Sequence, residues 1–75
     1  MLSSDHQTVL RALIKADQCS LVLEEIAVIA SLSFERAWYA VLELIELRFL
    51  TPAGLGLYRL TADGQQTANR LSASG

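Results

Sequence analysis

Apolar positions near the start of the chain recur at helical spacing. Val9, Leu10, Leu13 and Ile14 share one stripe, with Arg11 and Lys15 turned away from it. This predicts a first helix over residues 5–16, capped by Ser4, with Gln7 three residues later completing a capping-box pattern. Asp5 stands where the helix dipole favours a carboxylate. Residues 17–20 read as a loop, and Leu21-Val22 as a very short strand. A second helix is expected over residues 23–30, with Glu24 and Glu25 in its favourable first turn. Ser31-Leu32-Ser33 interrupts it, since serine side chains compete for backbone hydrogen bonds. Ser33 is then placed to cap a third helix over residues 34–48.

Beyond that helix the period changes. Phe49-Leu50-Thr51 and Leu57-Tyr58-Arg59-Leu60 read as two strands of a hairpin. Pro52 ends helical possibility and suits an edge, while Gly54 and Gly56 supply the turn with positive φ at little steric cost. Thr61 is expected to cap a last short helix through Gln65, Thr67, Ala68 and Leu71, leaving a frayed Ser/Ala/Gly tail. The expectation is one mainly α domain with a small β-hairpin over residues 1–75, ordered over about residues 5–71.

This order of elements resembles the winged helix-turn-helix superfamily. The likeness rests on Glu25-Ile26-Ala27 through Ala30-Ser31-Leu32-Ser33 as second helix and tight turn, and on the inward positions Ala37, Ala40, Val41, Leu44 and Leu47. Arg48-Phe49-Leu50 resembles the exit into the wing, and Tyr58 through Gly64 its return strand and the start of the next helix. The resemblance implies an α+β fold: a three-helix core, a two- or three-stranded wing and a short C-terminal helix. Two positions where the family usually has glycine hold Ser31 and Arg48 here. The resemblance further implies a small transcriptional regulator that binds duplex DNA, acting as a dimer.

Charge changes the picture. The chain has six Lys and Arg against eight Asp and Glu, a formal net charge of −2, so it lacks the basic excess common in dedicated nucleic-acid binders. On the third helix, 100° steps turn Glu35, Trp38, Tyr39, Leu42, Glu43 and Glu46 outward, with Ile45 at the margin and Arg36 near an edge. The residues expected to meet DNA are therefore few: Arg36 and Arg59 as charged donors, Ser33 and Tyr39 as neutral ones. Against this stands an apolar row of Trp38, Leu42 and Ile45 at i, i+4, i+7, with Val28 at a position that is usually polar and exposed in the family. The row has two readings. Either the last helix covers it, or it is the interface of a homodimer or a protein partner.

The alternative to DNA-linked regulation is thus a protein-interaction module whose third helix docks a partner. The apolar share of 52% and the small size make association a natural reinforcement, because a lone cysteine excludes an intrachain disulfide. Cys19 reads as an inert loop thiol suited to a reducing cytoplasm, and His6 as a solvated surface residue. One Cys and one His do not make a structural zinc site, and no cofactor motif, signal segment or membrane span is read from the sequence. Glu24-Glu25 and Glu43/Glu46 have no accompanying nucleophile, and Gly54-Leu55-Gly56 is too short for a phosphate loop. No catalytic residue is expected.

Overall fold

A computed structural model describes residues 2–16 and 20–74. The first helix, α1, spans Ser4–Lys15 and starts one residue earlier than its stripe predicts. Ser3, not Ser4, is the N-cap: its Oγ accepts the His6 backbone N–H at 3.2 Å. The reciprocal bond runs from the Ser3 N–H to Nδ1 of His6 at 3.0 Å. An imidazole nitrogen does here what a Glu or Gln does in the usual box, and this shifts the start of the helix. Gln7 turns back instead, donating from Nε2 to the Leu2 carbonyl at 3.3 Å. The loop expected over residues 17–20, with Cys19, lies outside the described residues except for Ser20.

Strand β1, Leu21–Val22, leads directly into α2, Leu23–Ala30. Glu25 steadies that junction by accepting the Val22 N–H at 3.4 Å. Ser31 then takes the left-handed conformation at φ 57° and ψ 40°, and the Leu32 N–H closes back to the Ala27 carbonyl at 3.0 Å. This is a helix-ending turn that more often uses glycine. Ser33 caps α3, Phe34–Glu46, as its sequence position predicts, with Oγ accepting the Arg36 N–H at 3.2 Å.

Helix α3 stops two residues short of the expected residue 48, and the cause is visible at Arg48. Its φ is 66°, and the Phe49 N–H reaches the Leu44 carbonyl at 2.9 Å. A helix-ending turn has closed, again without glycine. Leu47, expected on the inward face, is therefore 49% exposed, and Leu44 is the last inward side chain of α3. With Phe49 occupied by this turn, strand β2 covers Leu50–Pro52 rather than residues 49–51.

Strand β3, Leu57–Leu60, lies between β1 and β2 in an antiparallel sheet of order β1-β3-β2. Leu50 faces Leu60 and Pro52 faces Tyr58 on one side, while Leu21 faces Tyr58 on the other. Pro52 sits on an edge strand, where its missing N–H costs no ladder bond. The connecting turn places Gly54, Leu55 and Gly56 at φ 83°, 53° and 76°. Thr61 caps α4, Ala62–Ser74, accepting the Gly64 N–H at 3.0 Å. The same hydroxyl donates to the Arg48 carbonyl at 2.7 Å, so one side chain joins the end of α3 to the start of α4. Helix α4 continues past Leu71, where a frayed tail was expected, and it packs on α1 and β3.

The core gathers Val9, Leu10 and Leu13 of α1 with Ile26, Val41, Leu44, Leu21 and Leu50. Alanines at 12, 27, 30, 37, 40 and 68 are buried among them and allow the helices to approach closely. Gly64 serves the same purpose at the start of α4. A Cβ there would collide with the Phe49 carbonyl oxygen and carbon, which are backbone atoms with little freedom to yield. Gly64→Ala should therefore lower stability by about 1–3 kcal/mol despite alanine's better helix propensity, read as a fall in the urea midpoint.

Candidate nucleic-acid and partner interface

Helices α2 and α3, joined by the turn at Ser31, present the surface that sequence reasoning singles out. Along α3, Ala37, Ala40, Val41 and Leu44 are buried, which leaves Glu35, Trp38, Tyr39, Leu42, Glu43 and Glu46 exposed as the helical spacing predicts. Trp38 and Leu42 keep 39% and 38% of their surface open. Ile45, at the margin, is half-buried and packs on the core. Val28 on α2 is 78% exposed.

The sequence reading omitted Phe34, which is 56% exposed. It precedes Trp38 by four residues, as Trp38 precedes Leu42, so the same periodicity extends the apolar row one turn towards the helix start. Phe34, Glu35 and Trp38 line a shallow, mostly apolar depression there. Helix α4 packs chiefly on α1 and β3, and Phe34, Trp38 and Leu42 stay exposed with it in place, so it does not cover them.

The four residues proposed to meet DNA are all reachable but are not equivalent. Ser33 is exposed at the α3 N-terminus, with its hydroxyl oxygen engaged by the helix cap. Tyr39 is 59% exposed on the outward face. Arg59 is exposed on β3, opposite Thr51. Arg36 is exposed but paired: its Nε donates to Oδ2 of Asp5 at 3.1 Å and its Nη2 to Oδ1 at 2.6 Å. This hydrogen-bonded guanidinium holds the Asp5 carboxyl below its usual range, and the carboxylate raises Arg36 in turn. Because the Asp5 pKa is depressed in the fold, its contribution is present at neutral pH and is lost as pH falls through the folded value.

A second link from α1 to α3 lies one residue along. His6, expected on the surface, is 8% exposed. Its Nε2 meets Oε1 of Glu43 at 2.7 Å, while Nδ1 accepts the Ser3 N–H. The neutral tautomer with its proton on Nε2 satisfies both bonds. The helical wheel does carry the signal for this burial, since His6 precedes Val9, Leu10 and Leu13 by three, four and seven residues and so lies on their stripe; the partner, 37 residues away, is what it does not show. Among the described residues no group of three or more His, Cys, Asp or Glu is placed to hold a metal ion, and no helix is long and apolar enough to cross a membrane.

Three core helices, a tight turn between α2 and α3, and a three-stranded antiparallel sheet ending in a hairpin define a winged helix-turn-helix. A MarR family transcriptional regulator from Silicibacter pomeroyi DSS-3 has the same fold, with a TM-score of 0.83 at 24% identity over 93% of this chain and 51% of its own. Ligand-free NadR matches with a TM-score of 0.80 at 15% identity over 96% of this chain and 53% of its own. The chain thus spans about half the length of these structures, and the likeness is one of fold. No family model and no curated protein matches the sequence.

The His6–Glu43 contact generates a stability prediction. Glu43→Ala strands a buried imidazole nitrogen and should cost about 1–3 kcal/mol. Glu43→Gln retains an acceptor and should lose clearly less. Urea denaturation of the two variants beside the parent checks the difference.

Proposed function

We propose that this chain is the winged-helix unit of a transcriptional regulator that contacts duplex DNA, acts as a dimer and catalyses no reaction. The observation that carries the reading is the uncovered helix-turn-helix: α3 is capped at Ser33 and open along its outward face. A helix so presented can enter a major groove, which is how this motif reads DNA. The MarR family regulator with the same fold supports the choice. Ser33, Tyr39 and Arg59 supply the donors, and Arg36 does so only if it leaves Asp5.

Such an interface makes few phosphate contacts, so DNA affinity should depend weakly on salt, with on the order of two to four counterions released per subunit. Arg59→Ala should reduce the slope of log affinity against log salt by about 0.9. Fluorescence anisotropy across a salt series measures both. Absence of binding by the parent protein at low salt rejects the reading.

The apolar row favours a second reading, in which Val28, Trp38, Leu42 and Ile45 form a protein interface, either between two copies or with another chain. Trp38 and Leu42 are open to solvent on a helix whose neighbours leave them uncovered. Leu42→Glu should shift a dimer to monomer in sedimentation while helix content is kept, because an unpaired carboxylate is poorly tolerated in an apolar interface. A parent protein that is monomeric at high concentration removes self-association through this face. Loss of DNA binding with retained dimerisation would place Leu42 at the DNA instead.

A further inference from the structure

The first turn of α1 presents two polar side chains in succession to α3: Asp5 grips Arg36 and His6 meets Glu43. Arg36 and Glu43 lie seven residues apart, two turns along one edge of α3. The consequence is electrostatic. Between Lys15 and Arg48 the chain has no basic residue except Arg36, so α2 and α3 together carry one cation, and that cation is paired.

We propose that Asp5 withholds Arg36 from DNA phosphate, making Asp5 the residue that sets how strongly α3 engages a duplex. The proposal rests on the duplex-DNA reading above. The contact is side-on and bidentate, with both carboxylate oxygens on the Nε and Nη2 donors. That is the fork with which arginine also grips a phosphate, so carboxylate and phosphate compete for the same edge. Asp5 is the more anchored partner: its side chain is 27% exposed against 62% for Arg36. It also lies in the first turn of α1, where the dipole favours a negative charge. A phosphate approaching this edge meets a neutral pair, with the exposed Glu35 next in sequence to Arg36, rather than a free guanidinium.

The test is a double-mutant cycle on DNA binding. The parent protein, Asp5→Asn, Arg36→Ala and the double variant are titrated by anisotropy into a labelled mixed-sequence duplex about two helical turns long. Releasing one guanidinium adds about one phosphate contact. Asp5→Asn should therefore steepen the salt slope by about 0.9 and tighten binding on the order of tenfold at about 50 mM salt. Arg36→Ala alone, which bares the Asp5 carboxylate, should bind no tighter than the parent, and the uncharged double variant should lose the whole gain of Asp5→Asn and return to the parent. An Asp5→Asn protein that binds no tighter, with an unchanged slope, overturns the proposal. So does weaker binding, which would mean that Asp5 orients Arg36 onto the phosphate.

A second readout does not depend on that variant folding. In the parent protein the Arg36 Nε–H resonance should stay in place as DNA is added, and a large shift overturns the proposal. If the parent binds no DNA at low salt, the duplex-DNA reading itself has failed and this inference falls with it. The cycle separates that result from failure of the inference alone, in which the parent binds and Asp5→Asn gains nothing.

Discussion

A chain of this size has one small core, and each element must reach it. Here α1 makes that possible by standing in contact with α2, α3, α4 and β3. Val9 and Leu10 are fully buried and Leu13 nearly so, each facing side chains from elements far away in sequence. Burying such a side chain contributes about 1.5–3 kcal/mol, so a few positions on one helix account for much of what holds the others together. Close approach is the condition for this packing. The buried alanines at 12, 27, 30, 37 and 40 meet it between the helices, and Gly64 meets it where α4 crosses the Phe49 carbonyl.

The same helix decides what α3 has left to offer. Its inward face is spent on the core through Ala37, Ala40, Val41 and Leu44. One polar edge is spent on α1, through Asp5 with Arg36 and His6 with Glu43. What remains outward is Phe34, Trp38, Tyr39 and Leu42 among the carboxylates of Glu35 and Glu46. The fold is that of a winged helix-turn-helix, while the outward surface of α3 is short of positive charge. Long-range attraction to a polyanion scales with available cations, so the proposed DNA reading has to rely more on shape, apolar contact and neutral donors than on phosphate neutralisation.

Backbone strain shows where the fold takes priority over local preference. Ser31 and Arg48 both adopt left-handed conformations at positions where this superfamily usually has glycine, and each closes a helix by hydrogen bonds back to its last turn. A left-handed residue with a Cβ costs roughly 1–2 kcal/mol. The structure offsets this at Arg48 with the Thr61 hydroxyl, which binds the freed carbonyl and caps α4 at the same time. The end of α3, the start of the hairpin and the start of α4 are thus fastened at a single point.

Periodicity alone determined the element order, the bounds of α2, the cap at Ser33, strand β3, the inward face of α3 as far as Leu44 and the outward apolar row from Trp38. These are local properties: a repeat of 3.6 or 2 residues and a serine before a helix can be read without knowing what lies opposite. Only the folded structure decided that Ser3 rather than Ser4 caps α1, that His6 meets Glu43, that α3 ends before Leu47 and that Arg36 is paired. The two side-chain pairs depend on partners that no local window of sequence contains: Asp5 and Arg36 are 31 residues apart, and His6 and Glu43 are 37 apart. Hydrophobic faces repeat and so leave a pattern in the chain, whereas a hydrogen bond between two distant side chains is made once and leaves none.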